Sequence, residues 1–172
     1  YIAMIYIGFN ISGSHYNPVI SAIMFLKKKI DIKDFILYIV FQLIGACLAA
    51  TSIAMMKSNI QIQPVLADSI YTVIFMEAIF SFFIILAYLR VTSDDLKKNS
   101  FYGFIIGLPL IVGIFSAAPV SGAVFNPAIS IGPSIIDILT NEGVSQYFTW
   151  YYVVGPFLGG IFAYLLNKLF EK

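Results

Sequence analysis

Two ten-residue stretches limit what this chain can fold into more than anything else in it. Ser12-Gly13-Ser14-His15-Tyr16-Asn17-Pro18-Val19-Ile20-Ser21 returns as Ser121-Gly122-Ala123-Val124-Phe125-Asn126-Pro127-Ala128-Ile129-Ser130, with Ser, Gly, Asn, Pro, Ile and Ser kept in register. Asn is a preferred helix N-cap, and Pro at the first helical position lacks an N–H that would go unsatisfied there, so each copy opens a helix. The helices so opened, residues 17–27 and 126–139, are apolar and short. At about 1.5 Å per residue each reaches roughly halfway across a bilayer.

Around them lie longer apolar segments at 35–56, 69–90, 100–119 and 147–170. Each is close to the roughly 20 residues that a transmembrane helix requires. Three of these spans separate the two motifs, and an odd number of crossings places the motifs on opposite sides. The repeats are therefore inverted, and inverted repeats with broken helices meeting at the midplane are a transport architecture. The chain opens inside an apolar segment, 1–11, that is too short to cross and has no initiating Met. It is expected to be the end of a transmembrane helix whose start lies upstream.

Composition agrees with a membrane protein: 60% of residues are hydrophobic and 11% charged, against about half and a quarter in soluble domains. With the first motif entering from the cytoplasm, Lys27, Lys28, Lys29, Lys33, Arg90, Lys97, Lys98, Lys168 and Lys172 fall on inner loops, and only Lys57 lies outside. That asymmetry follows the positive-inside rule. The Lys27–Lys29 run reads as a solvated loop beside the membrane. A net charge of +1, with no basic face, excludes nucleic acid as a partner. The single cysteine, Cys47, reads as a small buried hydrophobe. One histidine, His15, gives little support to a metal site or to His-dependent catalysis. No convergent nucleophile, base or metal cluster is visible, so neither an enzyme nor a cofactor is expected.

The paired Asn-Pro motifs carry the chemistry. Two short helices directing their N-termini at each other present about half a positive charge apiece. A cation arriving there without its full hydration shell is repelled, whereas a neutral hydroxylic molecule can accept hydrogen bonds from the Asn17 and Asn126 amides. The residues before each Asn are non-helical, and free backbone at membrane depth is tolerated where it lines a wet cavity or is buried in protein. The carbonyls of Gly13, Ser14 and His15, with those of Gly122, Ala123 and Val124, are assigned to an acceptor ladder along a pore. Glu77 lies in an apolar span, where an ionisable group is costly and usually functional. It is expected to accept hydrogen bonds from second-loop N–H groups, with permeant binding the alternative. The His15 side chain is expected to brace its loop, with pH gating the alternative. Gly45 with Ala49, and Gly155, Gly159 and Gly160, suit close helix packing.

At these residues the chain resembles the aquaporin (major intrinsic protein) superfamily. Ser-Gly-Ser-His-Tyr-Asn17-Pro18-Val19 and Ser-Gly-Ala-Val-Phe-Asn126-Pro127-Ala128 look like its two signature loops, and Gln42-x-x-Gly45-Ala46, Glu77 and Val154-Gly155-Pro156-Phe157 also match. The resemblance implies an all-α membrane protein over residues 1–172: a right-handed bundle of inverted repeats with two half-helices meeting at the midplane. It further implies a homotetramer with one pore per subunit, in which 1–11 is the end of the second span, with the first helix and half the second upstream, and 35–56, 69–90, 100–119 and 147–170 are the third to sixth spans. The implied function is a passive channel for water or small uncharged solutes such as glycerol or ammonia. Two positions depart from the family pattern. Val19 stands where the first motif usually has Ala, a conservative change. Ile129 stands where an Arg usually follows the second motif, which leaves an apolar filter of Ile114, Ala123 and Ile129; the fourth filter position would precede Tyr1. Ser130 and Ser134 are similar to water-type members. Ile114, the run from Ala117 to Ala123, and Trp150–Pro156 are similar to plant nodulin-like intrinsic proteins. Loss of the filter Arg leaves a poorly conducting scaffold or junction protein as the alternative function.

Overall fold

Asn17 and Asn126 stand in extended backbone, at φ −145° and −148°, and each turns its side-chain oxygen onto the helix it precedes. Asn17 Oδ1 accepts from Val19 N–H at 2.9 Å, and Asn126 Oδ1 accepts from Ala128 N–H at 3.0 Å. Each pair satisfies one of the donors that a helix start leaves orphaned. The computed structural model describes residues 1–56, 61–62, 69–93 and 99–170. Its helices are α1 (Ile2–Ser12), α2 (Pro18–Leu26), α3 (Ile32–Met56), α4 (Ile70–Val91), α5 (Tyr102–Ser121), α6 (Pro127–Thr140) and α7 (Tyr151–Phe170), with a 3₁₀ turn at Val144–Tyr147. No strand occurs among the described residues.

Among the described residues four helices, α3, α4, α5 and α7, are long and apolar enough to cross a membrane. The two opened by Asn-Pro pairs are not: α2 has 9 residues and α6 has 14. The internal repeat is visible as structure. Helices α1 and α5 both end at a left-handed glycine, Gly13 at φ 65° and Gly122 at φ 90°, and each is followed by a loop, a half-helix and a long helix. Helices α3 and α7 both flank the pair of half-helices, and α4 packs along α7 and α5.

The approach of α7 to α4 depends on small residues. A Cβ added at Gly155 would lie 2.6 Å from the Glu77 Cβ, and one at Gly159 would lie 2.1 Å from the Ala78 carbonyl oxygen. Gly45 differs: a Cβ there would meet nothing within 4 Å, so its smallness serves no packing within the described chain. Helix α3 buries only Ala50, and its apolar Ile36, Val40, Phe41, Ile44 and Leu48 are exposed. Cys47 is half-buried, with its Sγ 3.9 Å from the Gly132 carbonyl oxygen.

The described basic residues gather at one end of the bundle. Met24, Leu89 and Val91 share one core cluster, bringing the end of α2 to the end of α4. The Arg90 guanidinium lies 5.8 Å from the Phe170 ring centroid, bringing α7 to the same end. Lys57, Lys97, Lys98 and Lys172 lie outside the described residues. The sixth span, expected from residue 147, becomes helical at Tyr151. A buried carboxylate intervenes. Asp137 Oδ2 accepts from Ser145 N–H at 2.8 Å and folds the preceding segment back onto α6 as the 3₁₀ turn.

Candidate functional site

The loops before α2 and α6 meet head to head. Asn17 Nδ2 donates to the Phe125 carbonyl at 2.9 Å, and Asn126 Nδ2 donates to the Tyr16 carbonyl at 2.8 Å. Each asparagine therefore caps its own helix through its oxygen and clasps the opposite loop through its nitrogen. An amide NH₂ carries two donors, so one N–H of each side chain remains for another acceptor. Reaching this geometry strains the backbone: Ser14, Ala123 and Phe125 adopt φ of 55°, 54° and 51°. Non-glycine residues in that region cost about 1–2 kcal/mol each and persist where the surroundings over-determine them.

Those surroundings differ between the two loops. Glu77, with no exposed surface, accepts at Oε1 from Val124 N–H (3.0 Å) and the Ser121 hydroxyl (2.7 Å), and at Oε2 from Phe125 N–H (2.6 Å). Ser121 Oγ in turn accepts from Ala123 N–H at 3.1 Å, and the Tyr152 hydroxyl donates to the Ser121 carbonyl at 2.5 Å. Among the described residues the first loop is held by neutral groups. The Tyr88 hydroxyl donates to the Gly13 carbonyl at 2.8 Å, the Ser14 hydroxyl to the Ile5 carbonyl at 2.8 Å, and the Gln42 amide to the His15 carbonyl. His15 is buried, with Nδ1 3.4 Å from Ser21 Oγ and its ring packed edge-on between Tyr38 and Tyr88.

The carbonyls assigned to the ladder are unequal. Gly13 and His15 oxygens already accept the bonds just described, and the Ser14 oxygen accepts from Tyr16 N–H at 2.8 Å. Among the described residues the carbonyls of Gly122, Ala123 and Val124 accept no hydrogen bond from the protein. A cavity of about 50 Å³ opens beside the paired asparagines. Asn17, Asn126 and Ile129 line it, together with Tyr1, Ile84 and Leu110. Of the apolar filter read from the sequence, Ile129 thus sits at the cavity wall. Ile114, one turn beyond Leu110, does not line that cavity, and Ala123 packs against the cluster of Ile84, Ala117 and Phe125.

The profile of the family described as major intrinsic protein matches residues 1–167. This chain belongs to the major intrinsic protein family. It is 32% identical to a glycerol uptake facilitator protein-like 6 of Lactiplantibacillus plantarum, covering 89% of this chain and 72% of that protein. It is 31% identical to the probable aquaporin NIP4-2 of Arabidopsis thaliana, covering 99% of this chain and 60% of that protein. The chain thus spans less than two thirds of the length of that plant relative. Its fold is that of the aquaglyceroporin from Plasmodium falciparum, with a TM-score of 0.78 at 18% identity over 94% of this chain and 74% of that one. With its apolar spans, the family member described here is a multi-pass integral membrane protein.

Several side chains around this family member's motifs carry no motif signal of their own. Tyr88 reads in the sequence as one aromatic among many, Tyr152 stands in the Trp150–Pro156 run without any sign of its partner, and only folding brings their hydroxyls to loop carbonyls. Ser81 Oγ, 3.4 Å from the Phe125 carbonyl, is equally silent. Ser130 and Ser134, which sequence similarity singles out, are buried against the turn before α7: Ser134 Oγ lies 2.5 Å from Thr149 Oγ1.

Proposed function

We propose that this protein is a passive channel for water and small uncharged solutes, with the permeation path passing Asn17 and Asn126. The observation that carries the reading is the reciprocal clasp. Each amide spends one N–H on the opposite loop and keeps one for a passing hydroxyl or amine. Two helix N-termini converge on that point, each worth about half a positive charge, and a neutral molecule that accepts hydrogen bonds is favoured there over a cation. The second-loop carbonyls of Gly122, Ala123 and Val124 supply acceptors, and those of Gly13, Ser14 and His15 supply one remaining lone pair each. Glu77 and Tyr152 hold the second loop so that these oxygens stay directed along the path. Assembly as a homotetramer belongs to the same proposal.

Ile129 sets the selectivity in this reading, with Ala123 and Ile114 completing the outer apolar wall. A wall without a fixed charge or donors gives a permeating water few partners to replace its hydration. Water should then cross slowly relative to solutes with a carbon face, such as glycerol, or with a weaker hydration demand, such as ammonia. Stopped-flow light scattering on proteoliposomes, under water, glycerol and ammonia gradients, tests this. Ile129→Arg should lower the ratio of solute to water flux, and an unchanged ratio would remove residue 129 from the filter. Flux no greater than that of empty liposomes for all permeants would instead identify a poorly conducting scaffold.

A further inference from the structure

At the basic end of the bundle, α2 closes in a way that costs energy. Lys28 N–H donates to the Phe25 carbonyl and Lys29 N–H to the Met24 carbonyl, both at 2.9 Å. This is the Schellman pattern of a helix C-terminus, which places its central residue in the left-handed region. Glycine usually occupies that position, yet Lys28 does so here at φ 56°. A lysine kept where glycine fits without strain points to a use for its side chain.

Lys28 and Lys29 line a depression of about 620 Å³ with Phe25, Leu26, Asp31 and Asp34. Asp31 is committed to capping α3, its Oδ1 accepting from Asp34 N–H at 2.8 Å. The lining lysines and aspartates balance, and Lys27 and Lys33, which flank the depression in the chain, bring the 27–34 segment to a net charge of +2. Immediately towards the bilayer interior, Phe25 stacks on Phe35 with ring centroids 5.1 Å apart. Phe35 opens a second groove of about 370 Å³, walled by Ile39, Val40 and Val153 and floored by Pro18 and Pro127. That groove runs between α3 and α7, which make no contact with each other. A cationic mouth above a hydrocarbon slot of this kind complements one molecule: a lipid with an anionic headgroup.

We propose that Lys28 and Lys29 bind the headgroup phosphate of an anionic phospholipid, whose acyl chain lies in the groove between α3 and α7 against Pro18 and Pro127. Those prolines open the two half-helices, so the lipid buttresses the asparagine clasp from behind. Each lysine near an anionic surface favours such lipids about fivefold. With Asp31 and Asp34 offsetting two of the four lysines, the net enrichment over a zwitterionic lipid should be about 25-fold.

The test places an indole in the groove, through Phe157→Trp in a Trp150→Phe background, and reconstitutes the full protein in phosphatidylcholine. Brominated phosphatidylglycerol should quench the new fluorescence at about one twenty-fifth the mole fraction that brominated phosphatidylcholine requires. Lys28→Gly combined with Lys29→Gln should abolish that difference, while Lys28→Gly alone relieves backbone strain and raises the melting temperature in detergent. Wild-type protein should also melt higher with added phosphatidylglycerol than with phosphatidylcholine, and the double variant should not. Equal quenching by the two lipids, or a preference that survives the lysine changes, overturns the proposal.

Discussion

Replacing Glu77 by leucine removes three acceptor contacts at once: those to Val124 N–H, Phe125 N–H and the Ser121 hydroxyl. The hydroxyl can turn to the Ala117 carbonyl, 3.4 Å away. The two backbone donors have no such recourse, because the residues that carry them are buried. Each buried donor left unpaired costs about 1–3 kcal/mol, so the leucine variant should lose about 2–6 kcal/mol. For a chain of this size that corresponds to a melting point roughly 5–20 °C lower. Glutamine keeps one carbonyl oxygen for Val124 and Ser121 but turns an NH₂ towards Phe125 N–H, a donor facing a donor. Its cost should be confined to about one unpaired group, about 1–3 kcal/mol. The assay is thermal unfolding in detergent together with stopped-flow flux in proteoliposomes. The order expected for both readouts is wild type, then Glu77→Gln, then Glu77→Leu. A leucine variant that melts and conducts like wild type would refute the assignment of Glu77 as the fixed point of the second loop.

Other changes test neighbouring links. Asn126→Ala removes a helix cap worth about 0.5–2 kcal/mol and the bond to the Tyr16 carbonyl worth about 1 kcal/mol; it should lower both stability and flux, and an unchanged melting curve would contradict the clasp. Gly159→Val drives a side chain towards an oxygen only 2.1 Å from the new Cβ, so overpacking of 1–3 kcal/mol or more should appear as loss of monodisperse protein on size-exclusion chromatography. Tyr152→Phe deletes one hydroxyl bond to the Ser121 carbonyl and should cost about 1 kcal/mol, visible as a small fall in melting temperature that is not additive with Glu77→Leu.

Much of the fold is legible in the sequence because it is written locally. An Asn-Pro pair fixes a helix start by capping chemistry alone, and hydrophobic length separates spanning helices from half-helices. Glu77 stands out because a carboxylate in an apolar span has to find donors. What local reading misses is whatever depends on rotation and reach. Helix α5 contains Pro109 and Pro119, and a proline removes a helical hydrogen bond and bends its helix. Counting back from Asn126 to Ile114 passes Pro119, so the spacing alone does not fix the face of α5 that Ile114 occupies, while Leu110, one turn earlier, is the α5 residue at the cavity beside the asparagines. The start of α7 is equally hidden, since it depends on Asp137 reaching Ser145 across a turn. The loop contacts of Tyr88 and Tyr152 join residues 75 and 31 positions apart, and nothing in the pattern around either tyrosine announces them.

The clasp also imposes an order on biosynthesis. Asn17 finds its acceptor at Phe125, 108 residues further along the chain. At ribosomal rates of about 5–20 residues per second, the first half-helix waits roughly 5–20 s before its partner has been made. During that interval its loop sits at the membrane with the asparagine amide unsealed and the opposing dipole absent. The nascent protein therefore passes through a stage in which one half-helix is dipped into the bilayer on its own, held by the short-range contacts of Ser14 with Ile5 and of Gln42 with His15. Those anchors are available throughout that interval, whereas the clasp is not.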